Sequence, residues 1–237
     1  MIAEMTKQTP MKSPDDKFRF ACTACGNCCY DPEGIILSAS DIYRGAKFLG
    51  ISAEDFVSKY CRMYIGQHSH LPLLTVKLEG TRKKCIFLSS NRCTIHLAKP
   101  GVCETYPLGR GLSKENNDAV DYYLSPVTCG KRNKATTVRE WLSTTGVDKS
   151  NELFVAWYAK TRELYTFTDR LHSTLGDKGI ALMGPDIATV LYCNYDTEKD
   201  FMPQFNANCQ MLIDYLKEVE AFIAESTTAL EEQQDRI

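Results

Sequence analysis

No stretch of this chain approaches the roughly 20 consecutive apolar residues that a bilayer crossing needs. The opening residues, Met1 to Phe20, are polar and mixed in charge. No apolar stretch there precedes a small-residue cleavage site, so they do not read as a secretory leader. Neither sign of charge dominates. A formal charge of −2 over 237 residues leaves no global field to select nucleic acid or an anionic membrane. No internal repeat is visible, nor a local Ser-His-Asp or Cys-His arrangement. Gly179 to Gly184 lacks the three-glycine spacing of a nucleotide fingerprint. These absences lead us to expect a cytoplasmic protein with no membrane partner, in a compartment where thiols stay reduced. Nucleic acid is disfavoured as a partner, and a protein partner is left open.

What the chain does have is cysteine. Apolar residues make up 43% and charged residues 24%, so an ordinary core is available and eleven cysteines are not needed as staples. An odd count also leaves one thiol unpaired in any disulfide scheme. Buried, isolated cysteines account for Cys61, Cys193 and Cys209, read here as lying on apolar helical faces. They do not account for Cys22, Cys25, Cys28 and Cys29, four thiols in eight residues, or for Cys85, Cys93, Cys103 and Cys129 beside turns and short extended segments.

Thiolate is a soft ligand, suited to zinc, copper(I) and iron–sulfur clusters. One Cys-x-x-Cys is weak evidence and equally a redox pair. Here the gap occurs twice in succession, Cys22 to Cys25 and Cys25 to Cys28, the spacing of many iron–sulfur ligand runs. Gly26 lets the loop turn tightly between them. Adjacent side chains tend to point apart, so Cys28 and Cys29 are expected to serve different centres or one multinuclear cluster. A radical-type Cys-x3-Cys-x2-Cys pattern fails because Pro32 takes its third position. All eight cysteines are candidate metal ligands, in two four-sulfur sites or one larger cluster, and spacing does not apportion them. An iron–sulfur cluster is slightly favoured over zinc. His68 and His70 form a further loop pair with ligand chemistry.

The expected fold class is α+β. A cysteine-rich half with short strands and a hairpin, residues 18–134, precedes a mainly helical half, residues 135–225, packed on it, with a single domain left open. Residues 1–17 read as a flexible tail and 226–237 as a frayed one. Ile35 to Leu37, Leu73 to Val76 and Ala119 to Leu124 read as strands, and Cys85–Leu88 with Cys93–His96 flank a hairpin turn. Ser38 or Ser40, Ser52 and Thr137 read as helix N-caps. Leu153 to Leu171 and Phe205 to Val219 carry helical stripes, and Pro185 is read as opening another helix. Residues 81–134 carry ten Lys and Arg against four Asp and Glu. Arg82, Lys83, Lys84, Lys131, Arg132 and Lys134 are therefore candidates to offset thiolate charge.

In order along the chain, Cys22-x2-Cys25-Gly26-x-Cys28-Cys29, Cys85-x-Phe87-Leu88, Cys93-x-Ile95 and Pro100-x2-Cys103-x2-Tyr106-Pro107-Leu108 resemble the YkgJ-type cysteine-cluster family. That resemblance spans residues 20–130 and implies zinc or iron chelation by the thiols. His96 stands where the family favours Tyr, Lys99 where it favours Arg, and Glu104 where a basic residue often follows the cysteine. Flagellin lysine methylases are similar in the cysteine motif but considerably longer. Three functions are therefore weighed: a metal-binding module, with redox sensing or electron transfer as its candidate role; a protein lysine methyltransferase; and an interaction module for nucleic acid or an acidic partner.

Overall fold

The computed structural model describes residues 9–11, 13–32, 34–113, 119–127 and 129–234. Its first half is built from short antiparallel strands and its second from long helices. β1 (Thr9–Met11) and β2 (Lys17–Ala21) lead into the first cysteine loop. β3 (Ile36–Leu37) then runs into α1 (Ala39–Leu49) and α2 (Ala53–Tyr60). α1 starts where the Ser38 hydroxyl accepts from the Asp41 N–H and Asp41 Oδ2 accepts from the Ser38 N–H, at 3.2 and 2.9 Å. It stops at Gly50. Ser52 caps α2 by accepting from the Asp55 N–H at 3.0 Å.

β4 (Cys61–Ile65) and β5 (Pro72–Val76) pair in the order β3-β5-β4. Two small ladders follow. β6 (Leu78–Glu79) pairs with β7 (Lys84–Cys85), and β8 (Leu88–Ser89) with β9 (Arg92–Cys93). α3 (Gly101–Thr105) carries Cys103 on a short helix. β10 (Leu108–Leu112) and β11 (Val120–Leu124) form a sheet with β1, in the order β1-β11-β10. β12 (Lys131–Thr137) returns along β2, pairing Lys131 with Ala21 and Thr137 with Lys17.

α4 (Val138–Thr145) begins at a reciprocal Thr137–Glu140 cap. α5 (Asn151–Ala188) is followed by a π turn over Thr189–Cys193, and α6 (Phe201–Gln234) completes the order. No helix among the described residues is long and apolar enough to cross a membrane.

Four sequence expectations need correction. The first eight residues lie outside the described ones, but Thr9–Met11 is not tail: it is an edge strand on β11, with Met11 opposite Tyr122. Residues 226–234 continue α6, and 235–237 lie outside the described residues. Pro185 does not open a helix. The break is at Gly176, whose φ of 66° is non-helical, and Pro185 lies within the helix that follows. Cys61 begins a strand, whereas Cys193 and Cys209 lie on helical segments as expected.

Two apolar clusters hold the chain together. The larger joins both halves: Leu37, Ile42, Phe56, Leu74, Phe87 and Ile95 meet Leu164, Ile187, Tyr192, Phe205 and Leu212, all buried. Hydrogen bonds cross it as well: the Tyr43 hydroxyl, among others, donates to the Lys199 carbonyl at 2.6 Å. The Tyr192 hydroxyl donates to the Pro72 carbonyl at 3.1 Å, and the Thr168 hydroxyl to the Ser69 carbonyl at 2.9 Å. The smaller cluster gathers Phe18, Phe20, Leu108, Val138 and Leu142, with Trp141, Tyr106 and Cys129 packed on it. The cysteine loops lie between the two.

Candidate metal centre

The first cysteine loop leaves β2 and tightens into a single turn over Asn27–Cys29. Gly26 enters that turn with φ 75°, and its carbonyl accepts from the Cys29 N–H at 2.9 Å. An added Cβ would lie 3.2 Å from Leu88 Cδ1 and 3.3 Å from Asn91 Cα. The missing side chain therefore seats the loop against the β8–β9 hairpin. On the far side of the turn, Tyr30 bridges to Lys84, and the Asp31 N–H donates to the Lys83 carbonyl at 3.0 Å. Arg82 lies over the Tyr30 ring at 4.3 Å. This pairing brings Cys29 alongside Cys85 on β7.

Gly26→Ala should combine left-handed strain of about 1–2 kcal/mol with a displaced hairpin. We expect a loss of roughly that size in urea unfolding of the metal-loaded protein. An unchanged midpoint would show that the loop does not need this contact.

Cys93 lies opposite Leu88 in the hairpin, which turns through Ser90 and Asn91 at φ 48° and 59°. The Thr94 N–H and hydroxyl both donate to the Phe87 carbonyl, at 2.8 and 3.1 Å. Phe87 in turn packs on Phe56 and Tyr60 of α2, at centroid distances of 5.7 and 4.8 Å. The aromatic anchor between Cys85 and Cys93 is thus what ties both to the core.

α3 is clamped from two sides. Asp41 Oδ1 accepts from the Gly101 N–H at 2.9 Å and from Arg44 at 2.9 Å. Arg44 also donates to Glu104 and to the Lys99 carbonyl. From the other side Trp141 Nε1 donates to the Thr105 carbonyl at 3.0 Å. Burial opposes the Arg44 charge, but Asp41 and Glu104 outweigh it and raise its pKa. Glu104, which departs from the family pattern, therefore has a dedicated cation on α1. Sequence reading missed Asp41 and Arg44. The Ser38–Asp41 cap spacing was the one local sign available.

Cys129 sits at the turn into β12. Gly130 has φ 77°, and a Cβ there would meet the Phe20 ring and the Ala21 carbonyl. The Tyr106 hydroxyl and the Cys129 sulfur lie 3.4 Å apart. Phe20 packs edge-on against Tyr106 and Trp141, at 5.9 and 5.4 Å.

The thiols fall into two sets. Cys28, Cys29, Cys85, Cys93 and Cys103 lie within charge reach of one another. Cys25 contacts Cys129, and Cys28 reaches that pair as well. Cys22 is exposed and its sulfur accepts from the Ala24 N–H at 3.5 Å, a contact within its own loop. All eleven cysteines are free thiols. Among the described residues no three Cys, His, Asp or Glu side chains are already disposed to hold a metal ion. The thiols are gathered but not drawn in to ligand distance.

Two expectations fail here. Cys28 and Cys29 do not point fully apart: each thiol is the largest influence on the other's ionisation. In a helical turn successive side chains diverge by much less than in a strand, where they take opposite faces. The cation acting on the thiols is Lys99, which lowers Cys28 and Cys93. Of the basic residues proposed for that role, Lys83 pairs with Asp31, Lys84 with Glu79, and Arg132 donates to the Val127 carbonyl. His70 stacks on His172 at 3.8 Å, and His96 is exposed.

The neighbouring Cys29 thiol brings the Cys28 thiol down to about 6, while Cys28 and burial push Cys29 up. The Asn27 N–H lowers Cys25. Burial first, then neighbouring sulfurs, raises Cys85 and Cys103, and burial raises Cys93 and Cys129. Between about pH 6 and 8.5 the unfolded chain keeps protons that folded Cys28 has released, so metal-free stability rises with pH. Above about 8.5 the unfolded thiols ionise while the raised folded ones keep their protons, so stability falls. Urea midpoints of metal-free protein should therefore peak near neutral to mildly alkaline pH. Metal-loaded protein should show a smaller alkaline decline, because its ligands are already deprotonated and only non-ligand groups raised by burial, such as Cys61, Cys193 and Cys209, still contribute. The same decline in both forms would mean that metal does not occupy these sulfurs.

A set of sulfurs with mutually opposed ionisation fits a soft cation, which removes the repulsion by taking the protons' place. No solved structure matches the chain. Residues 21–130, the segment holding all eight of these cysteines, match the family model CxxCxxCC, described as a "putative zinc- or iron-chelating domain".

Proposed function

We propose that the chain is a metal-binding protein whose clustered thiolates hold an iron–sulfur cluster, with redox sensing or electron transfer as its role. The observation that carries this reading is the gathering of Cys28 and Cys29 with Cys85, Cys93 and Cys103 from four separate segments, all unpaired. The run Cys22, Cys25 and Cys28, with two successive two-residue gaps, favours an iron–sulfur cluster over a single tetrahedral ion. Such a cluster supplies one-electron chemistry tuned by hydrogen bonds to sulfur and by burial. In this chain the buried position of Cys85, tied to the core by the packing of Phe87 on Phe56 and Tyr60, would provide the latter.

Zinc is the second reading, favoured by the donor chemistry alone. Purification without oxygen, followed by metal analysis and an absorption spectrum, tests the proposal. Broad brown absorption with stoichiometric iron is expected. A colourless zinc-loaded sample selects the second reading, and folded protein with negligible zinc and iron overturns both.

A further inference from the structure

β4 forms one side of the β3-β5-β4 sheet, and among the described residues no strand pairs with its outer edge. The direction of each peptide group on β4 follows from its pairing with β5. The Lys77 N–H donates to the Tyr60 carbonyl at 2.8 Å, and the Gly66 N–H to the Leu71 carbonyl at 2.9 Å. Between them the register is unbroken, from Cys61 opposite Val76 to Ile65 opposite Pro72. Hydrogen-bonded and non-bonded pairs alternate along an antiparallel ladder. Arg62 and Tyr64 therefore bond β5, while Cys61, Met63 and Ile65 aim their peptide groups outward. The Val57 carbonyl at the end of α2 takes the Cys61 N–H. The Cys61 carbonyl and both peptide groups of Met63 and Ile65 have no hydrogen-bond partner among the described residues.

The side chains leave this edge open. Arg62, Met63 and Tyr64 are exposed, as is Ile36, which shares the Arg62–Tyr64 face of the sheet. Edge strands are usually blunted by proline, by a bulge or by charge. β4 has no proline and no bulge, and its one charged residue is Arg62.

We infer that β4 is a self-association edge, pairing antiparallel with β4 of a second copy about a two-fold axis at Met63 and joining the two three-stranded sheets into one. The strand is complementary to itself in that register. Met63 meets Met63 as a hydrogen-bonded pair, and each Ile65 N–H donates to the Cys61 carbonyl of the other copy. On the outer face Arg62 of either copy stands opposite Tyr64 of the other. These are the close, non-bonded pairs, in which a guanidinium can lie over an aromatic ring. An axis at Arg62 would instead set the two guanidiniums against each other, so charge helps to fix the register. Such a pair is isologous and closes on itself. A strand of five residues makes a small contact, so the association is weak and reversible. None of the eight candidate ligands lies on β4, so the inference does not depend on what they hold.

Sedimentation velocity and hydrogen exchange of the full chain over a concentration series test this. The sedimentation coefficient should rise from monomer to dimer and stop there. Over the same series the Met63 and Ile65 amides should gain protection, while those of Arg62 and Tyr64, already bonded to β5, should change little. Tyr64→Lys sets a second cation opposite each Arg62 and should weaken association by roughly tenfold or more. Met63→Pro removes an N–H that the monomer leaves unused and should abolish association. Amide protection of α5 and α6 shows whether each variant is folded. Wild-type protein that stays monomeric throughout overturns the inference, whether or not the edge then takes an extended peptide from another protein. So does a dimer that either folded variant keeps at wild-type strength, or one that forms without protecting Met63 and Ile65.

Discussion

Removing the metal from reduced protein is expected to lower the thermal midpoint by roughly 10–15 °C. A metal held a thousandfold more tightly than its free concentration stabilises the folded state by about 4 kcal/mol. For a chain of this size each kcal/mol is worth about 2–4 °C. The loss should also be uneven. The cysteine segments rest on two-residue ladders, Leu78–Glu79 with Lys84–Cys85 and Leu88–Ser89 with Arg92–Cys93. Ladders that short are not stable alone. α5 and α6 instead bury Leu164, Leu171, Phe205, Leu212 and Leu216. Amide exchange should therefore rise over residues 22–31 and 78–105 on chelation while α5 and α6 keep their protection. Equal protection with and without metal would mean that the thiols contribute nothing to the fold.

Arg44→Ala is the substitution outside the cysteines with the largest expected effect. It leaves the Glu104 and Asp41 carboxylates, 11% and 9% exposed, without their shared cation. Removing one partner of a buried pair costs about 3–5 kcal/mol. Arg44 itself is 27% exposed, so about 2–3 kcal/mol is the reasonable expectation after solvent screening. The same change frees the Lys99 carbonyl and loosens α3, so metal retention should fall with stability. Arg44→Ala/Glu104→Ala should be milder than Arg44→Ala alone, because the double change removes one of the stranded carboxylates. Unfolding and chelator-release rates of the three proteins decide it. A double variant worse than the single would show that Glu104 is held by something other than Arg44.

The parts of the fold that could be read from sequence are those set by neighbours in the chain. Ser38, Ser52 and Thr137 cap helices through bonds three residues away, and the hairpin at Ser90–Asn91 is closed by its own turn. The β2–β12 ribbon joins Lys17–Ala21 to Lys131–Thr137, more than a hundred residues on, and nothing in Lys-Phe-Arg-Phe-Ala names that partner. Pro185 was a misleading cue because the helix breaks earlier, at Gly176, and the proline lies in the interior of the helix that follows.

At the site, the cysteines were legible by type and spacing. Their grouping was not. It depends on Gly26 seating one loop on a distant hairpin, on Arg44 reaching Glu104 sixty positions away, and on Tyr106 meeting Cys129. Of the basic residues near Cys85 and Cys129 in sequence, Lys83, Lys84 and Arg132 face their own acidic or carbonyl partners, and the cation that acts on Cys28 and Cys93, Lys99, was noticed only as a departure from a family pattern.

X-ray absorption at the edge of the bound metal tests the central claim most directly. Coordination by these cysteines predicts a shell of sulfur at about 2.3 Å, with iron–iron scattering in addition if the metal is clustered. A shell of nitrogen and oxygen at about 2.0–2.2 Å, without sulfur, would contradict it.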